Sequence, residues 1–104
     1  MQSEVTKIAQ RLEACFKRGG HVYLFGNGGS AQQANHFAAE LVHLGLTVSS
    51  LTSDMSVMTA LANDHSYKEV FARQIIALAK PEDLLIGISS SGKSPNILYG
   101  CILK

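Results

Sequence analysis

The chain has 104 residues, 46% of them hydrophobic, which is enough for one modest core and too little for two. Nine basic residues against eight acidic ones leave a formal charge of +1. Neither sign clusters, which excludes the basic stripe of a nucleic-acid partner or a membrane surface. No apolar run approaches the roughly 18 residues that span a bilayer, and the N-terminus, amphipathic and carrying Glu4, is unlike a signal peptide. Cys15 and Cys101 lack any C-x-x-C spacing. They are expected to be buried or partly buried free thiols in a reducing, cytoplasmic compartment.

In chain order, Val5, Ile8, Ala9, Leu12, Cys15 and Phe16 repeat at helical spacing, and Gly19-Gly20 close that helix. His21 to Phe25 predicts a short strand. It runs into the glycine-rich turn Gly26-Asn27-Gly28-Gly29-Ser30, and then into a helix with Ala31, Ala34, Phe37, Ala38, Leu41 and Val42 on its inner stripe. Thr47 to Leu51 reads as a second strand. Met55 to Ala62 and Tyr67 to Ala79 read as helices separated by Asn63-Asp64-His65-Ser66, with Val70, Phe71, Ile75 and Leu78 facing inward. Leu84 to Ser89, an unbroken apolar run, predicts a parallel strand covered on both faces. Ser94-Pro95 then gives an N-cap with proline at the first helical position.

This alternation implies an α/β fold: a parallel sheet with right-handed crossovers and helices on both sides. In such sheets ligands gather at the C-terminal ends of the strands. The turn after the first strand and Ser89-Ser90-Ser91-Gly92-Lys93-Ser94 after the third both fall at that edge.

The first turn lets the backbone approach a ligand closely, and the new helix aims free N–H groups at it, which suits a phosphate. In the second, hydroxyls and amides together could saturate phosphate oxygens without formal charge. Equally, serines are common in caps and turns for local reasons. His36 and Glu40, four apart and opposite the apolar stripe, share one helix face, where they could grip a metal or act as an acid/base pair. A solvated face is the plainer reading of the pair.

Two generic motifs compete. Gly26 to Ala31 satisfies G-x-G-x-x-A, with Asp54 as a ribose-binding candidate. Gly87 to Ser94 matches G-x-x-x-x-G-K-S, but Pro95 removes a donor from the expected amide cradle and Gly87 sits inside the strand, so that match reads as accidental.

Taken together, GNGGSAQQANHFAAEL, SDMSVMTALANDHSYKEVFARQIIAL and PEDLLIGISSSGKSPNIL resemble the sugar isomerase (SIS) domain family, and within it the phosphoheptose isomerases, over about residues 20 to 100. The resemblance implies a flavodoxin-like three-layer α/β/α sandwich over 1–104, a homotetramer with sites between subunits, and a phosphorylated sugar as substrate. It also implies interconversion of sedoheptulose 7-phosphate and D-glycero-D-manno-heptose 7-phosphate through an enediol, for surface glycan synthesis. Carried over by position, Asn27, Gly28, Gly29 and Ser30 match the first substrate loop, Asn63 and Asp64 an N-D pair at the substrate, and Ser89, Ser90, Ser91 and Ser94 the phosphate loop. His36 and Glu40 match two zinc ligands, Glu40 also contacting substrate as the catalytic base.

Departures from the family accompany the match. The stretch after Glu40 is short, with Leu44 near an expected arginine, and Lys93 stands where asparagine is common. The family's later glutamine and second histidine, which complete the zinc site, fall beyond Lys104, so the fold is expected in truncated form. Three readings stand: an isomerase, a noncatalytic SIS protein binding a sugar phosphate or a replication initiator, and a dinucleotide-binding domain.

Overall fold

The computed structural model describes residues 4–102. Helix and strand alternate along it: α1 (Glu4–Lys17), β1 (Val22–Gly26), α2 (Gly29–His43), β2 (Val48–Ser50), α3 (Met55–Asp64), a 3₁₀ turn (Tyr67–Glu69), α4 (Val70–Leu78), β3 (Leu84–Ile88) and α5 (Pro95–Ile102). The strands form one parallel sheet in the order β2-β1-β3, with Val22 opposite both Val48 and Leu84.

Alternation along β1 sends Val22 and Leu24 to one face and Tyr23 and Phe25 to the other. The first face packs on Cys15 of α1 and on Ala34, Ala38 and Leu41 of α2. On the second lie Val70, Phe71 and Ile75 of α4 and Ile97 of α5, with Met58 and Leu61 of α3 alongside. Phe25 and Phe71 meet as tilted rings with centroids 5.1 Å apart. The result is a three-layer α/β/α sandwich, and β2-β1-β3 is the strand order with which a flavodoxin-like sheet begins.

At the N-terminal edge of the sheet, Asp83 is 4% exposed. Its carboxylate accepts from the His21 N–H at 2.8 Å and the Lys80 N–H at 2.7 Å, fastening β1 to the turn before β3. His21 Nε2 lies 2.8 Å from Ser49 Oγ. These bonds hold strand starts, away from the loops at the opposite edge.

Several expectations are corrected. β3 is half-buried along its length, because it is an edge strand with β1 on one side only. Asn63 and Asp64 belong to the last turn of α3, so the break before the next helix is shorter, and that helix begins as a 3₁₀ turn. Leu78 and Val42 are exposed, each lying at a helix end where the apolar stripe has turned off the sheet. Cys101 is exposed rather than buried, although the cover its sulfur retains pushes the thiol pKa up. The side chain of Val5 lies outside the described residues. No helix among the described residues is long and apolar enough to cross a membrane.

Candidate functional site

The end of β1 and the start of α2 are joined by Asn27 and Gly28 alone. Gly28 takes φ 54°, ψ −122°, in the region that penalises a Cβ. Gly26 is required for a different reason: a Cβ there would sit 2.8 Å from the Ser30 carbonyl oxygen, so the first turn of α2 closes directly over the strand end. Ser30 N–H donates to the Asn27 carbonyl at 2.9 Å and Ala31 N–H to that of Gly28 at 3.0 Å. The N–H groups of Gly28 and Gly29 meet no acceptor among the described residues. They are unpaired donors of the kind a helix N-terminus offers to an anion.

Because β1 and β3 pair in register, with Gly26 opposite Ile88, the serine loop starts beside the glycine loop. Ser89 Oγ accepts from Gly92 N–H and Ser91 Oγ from Lys93 N–H, both at 3.1 Å. The Ser89 hydroxyl also lies 3.4 Å from that of Ser91 and 3.3 Å from that of Ser94. Both the local and the ligand-binding readings of these serines therefore fit one geometry. A hydroxyl oxygen that accepts from a loop N–H keeps its own proton, which can turn from a neighbouring serine hydroxyl to a phosphate oxygen. Ser94 stands directly before α5, its carbonyl accepting from Leu98 N–H at 3.1 Å.

The two loops are also tied by side chains that sequence reasoning missed. Asn27 Nδ2 donates to Asn96 Oδ1 at 2.8 Å, and Asn96 Nδ2 donates to Asn27 Oδ1 at 2.9 Å. The Tyr67 hydroxyl donates to the same Asn27 oxygen at 2.8 Å. Asn96 is 2% exposed in the first turn of α5. Its place beside the apolar Ile97 is the one signal the sequence carries, and its partner lies 69 positions away.

His36 and Glu40 stand on α2 with Nε2 and Oε1 2.9 Å apart, their side chains 78% and 63% exposed. The helix turns them from the core, as their spacing from Ala34 and Ala38 requires. As a pair they fit two positions of a tetrahedral metal site. No cluster of three His, Cys, Asp or Glu side chains occurs among the described residues. Neither Asn63 nor Asp64 reaches the loops by a hydrogen bond among the described residues. They border an open depression with Ser56 and Thr59, Asn63 Nδ2 lying 3.2 Å from Asp64 Oδ1. Their link to the site runs through the chain itself, three residues on, to Tyr67. Asp54, the ribose-binding candidate, instead caps α3, accepting from Val57 N–H at 3.1 Å.

This site geometry lies within a sequence that matches the SIS domain over residues 1–102. The chain belongs to the SIS domain family. It is 44% identical over 104 residues to phosphoheptose isomerase 1 of Campylobacter jejuni, covering 94% of this chain and 56% of that protein. It is 52% identical over 99 residues to a phosphoheptose isomerase of Paramagnetospirillum magneticum, covering 86% and 52%. The solved structure of phosphoheptose isomerase GmhA from Neisseria gonorrhoeae superposes with a TM-score of 0.90 at 40% identity, over 92% of this chain and 52% of that one. The chain thus spans about half the length of the relatives it matches.

Proposed function

We propose that the chain carries the phosphate-gripping half of a sugar-phosphate aldose–ketose isomerase, acting on sedoheptulose 7-phosphate. The observation that carries this reading is the meeting of the glycine loop and the serine loop at one sheet edge, in a chain similar to phosphoheptose isomerases across both loops. The N–H groups of Gly28 and Gly29 and the hydroxyls of Ser89, Ser91 and Ser94 take the phosphate oxygens, with Ser30 and Ser90 beside them. Asn63 and Asp64 approach the sugar once it is seated.

Glu40 is the base of the proposed reaction. Its carboxylate removes a proton from the carbon next to the carbonyl, the electron pair moves into a C=C bond, and the carbonyl oxygen takes up a proton to complete an enediol. Return of the proton to the former carbonyl carbon, while the neighbouring hydroxyl gives up its own proton and its oxygen becomes the new carbonyl, gives the isomer. Zinc, when bound by His36 and Glu40, supplies polarisation of the sugar oxygens. This chain provides two of about four donors, so alone it is expected to hold zinc weakly and to bind the sugar phosphate far better than it isomerises it. Assembly into a tetramer belongs to the same proposal.

Calorimetry with sedoheptulose 7-phosphate tests the site. The chain is expected to bind it, and Ser89→Ala with Ser91→Ala to weaken binding about tenfold or more, since each hydroxyl bonds a charged group. Unchanged affinity in the double variant would remove the serine loop from the site.

A further inference from the structure

The geometry points to a clasp that couples the two anion loops, in which Asn27, Asn96 and Tyr67 are positioning residues and the Asn27 side chain holds the loops together instead of reading the ligand. This rests on the sugar-phosphate reading of the loops and adds the device that keeps them in register.

The hydrogen bonds of Asn27 support it. An amide oxygen has two lone pairs, and an amide nitrogen has two protons. Asn27 Oδ1 already accepts from Asn96 Nδ2 at 2.9 Å and from the Tyr67 hydroxyl at 2.8 Å, while its Nδ2 donates to Asn96 Oδ1 at 2.8 Å. One N–H remains. A ligand bonding to the amide oxygen would have to displace a partner, and Asn96, being buried, would then be left with an unsatisfied donor. Backbone N–H groups carry no such cost. The glycine loop thus offers the Gly28 and Gly29 amides first, with the Asn27 oxygen taken up by the clasp and a single side-chain N–H left over.

Each member of the clasp sits on a different element. Asn27 lies in the strand-to-helix turn, Asn96 in the first turn of α5 directly after the serine loop, and Tyr67 opens the 3₁₀ turn. A shift of α5 relative to β1 would open both amide bonds at once. The clasp therefore fixes the gap between two sets of donors that must reach one phosphate, and a preset gap spares the ordering cost of binding. Tyr67 is half exposed and brings the segment after Asn63-Asp64 to the same point. Lys68 lies over the Tyr99 ring at 5.2 Å, which seats that segment on α5 as well.

The test is an amide NMR titration of the chain with inorganic phosphate, and then with sedoheptulose 7-phosphate. In the unaltered chain, Gly28, Gly29 and the Ser89 to Lys93 amides should respond together with one Kd. Asn96→Ala should raise that Kd about fivefold or more and split the response into two unequal Kd values, one for each loop. Tyr67→Phe removes only the hydroxyl of a half-exposed side chain and should weaken binding about threefold while the chain stays folded. It also carries the test should Asn96→Ala fail to fold. If the unaltered chain binds and both variants keep a single Kd within about twofold of it, the clasp has no positioning role. A silent unaltered chain would instead refute the site reading itself and remove the clasp's function with it.

Discussion

Gly26 and Gly29, the glycines on either side of Asn27 and Gly28, differ in what a side chain would meet. An added Cβ at Gly26 collides with the Ser30 backbone, whereas at Gly29 nothing lies within 4 Å and φ is not positive. Gly26→Ala is therefore expected to cost about 2 kcal/mol, the usual scale of an overpacking strain, and to disturb the amides of Gly28 and Gly29. Gly29→Ala should stay within about 0.5 kcal/mol of the unaltered chain. Urea unfolding of the two variants checks this, and equal losses would show that the turn yields where the geometry says it is closed. The sequence made the loop legible as a close approach of backbone, since glycines between a strand and a helix have few other uses. It did not separate Gly26, on which the helix closes, from Gly28 and Gly29, around which the space is open. Likewise, the exposed face of His36 and Glu40 followed from helical periodicity, while the engagement of Asn27 depended on a partner brought near only by the fold.

Among the elements, the 3₁₀ turn that presents Tyr67 has its own electrostatic anchor. Ser66 Oγ donates to Glu69 Oε2 at 3.0 Å, and Arg73 Nη2 reaches Glu69 Oε1 at 3.1 Å. The Ser66 bond, assisted by Arg73 and by His65 nearby, holds the Glu69 carboxyl below the usual carboxylate range. A depressed carboxylate stabilises the fold above its unfolded pKa, and that contribution is lost as pH falls through its folded pKa. Acidification through that range should thus release the turn and change the Asn27 side-chain amide resonances, and Glu69→Gln should abolish this acid transition. The same transition persisting in Glu69→Gln would assign it to another group. Order and type of the elements were readable in the sequence because apolar periodicity switches between two and 3.6 residues. The 3₁₀ start, the longer α3 and the half-covered β3 were not, since each is set by what packs alongside and not by local pattern.

Across the molecule, the open sides of β2 and β3 matter most, because an unpaired strand edge is a template for another chain. Leu84 N–H donates to the His21 carbonyl at 3.0 Å, so in a parallel ladder Leu84, Ile86 and Ile88 address β1 while Leu85 addresses the open side. Beside that edge runs a groove of about 380 Å³ between α1 and β3, lined by Lys7, Ile8, Arg11 and Leu84 to Gly87. Burial of this apolar strand against a second copy would add to a core that is modest for 104 residues. Self-association through β3 is therefore expected at micromolar concentration, and sedimentation should show the chain heavier than a monomer. Amide hydrogen exchange locates the contact: protection of Leu85 N–H should rise with protein concentration, while Leu84, Ile86 and Ile88 stay protected throughout because β1 already holds them. A chain that sediments as a stable monomer, with Leu85 exchanging freely at every concentration, would show that the β3 edge is tolerated open. Association with Leu85 still unprotected would move the interface to β2 or to the exposed helix faces.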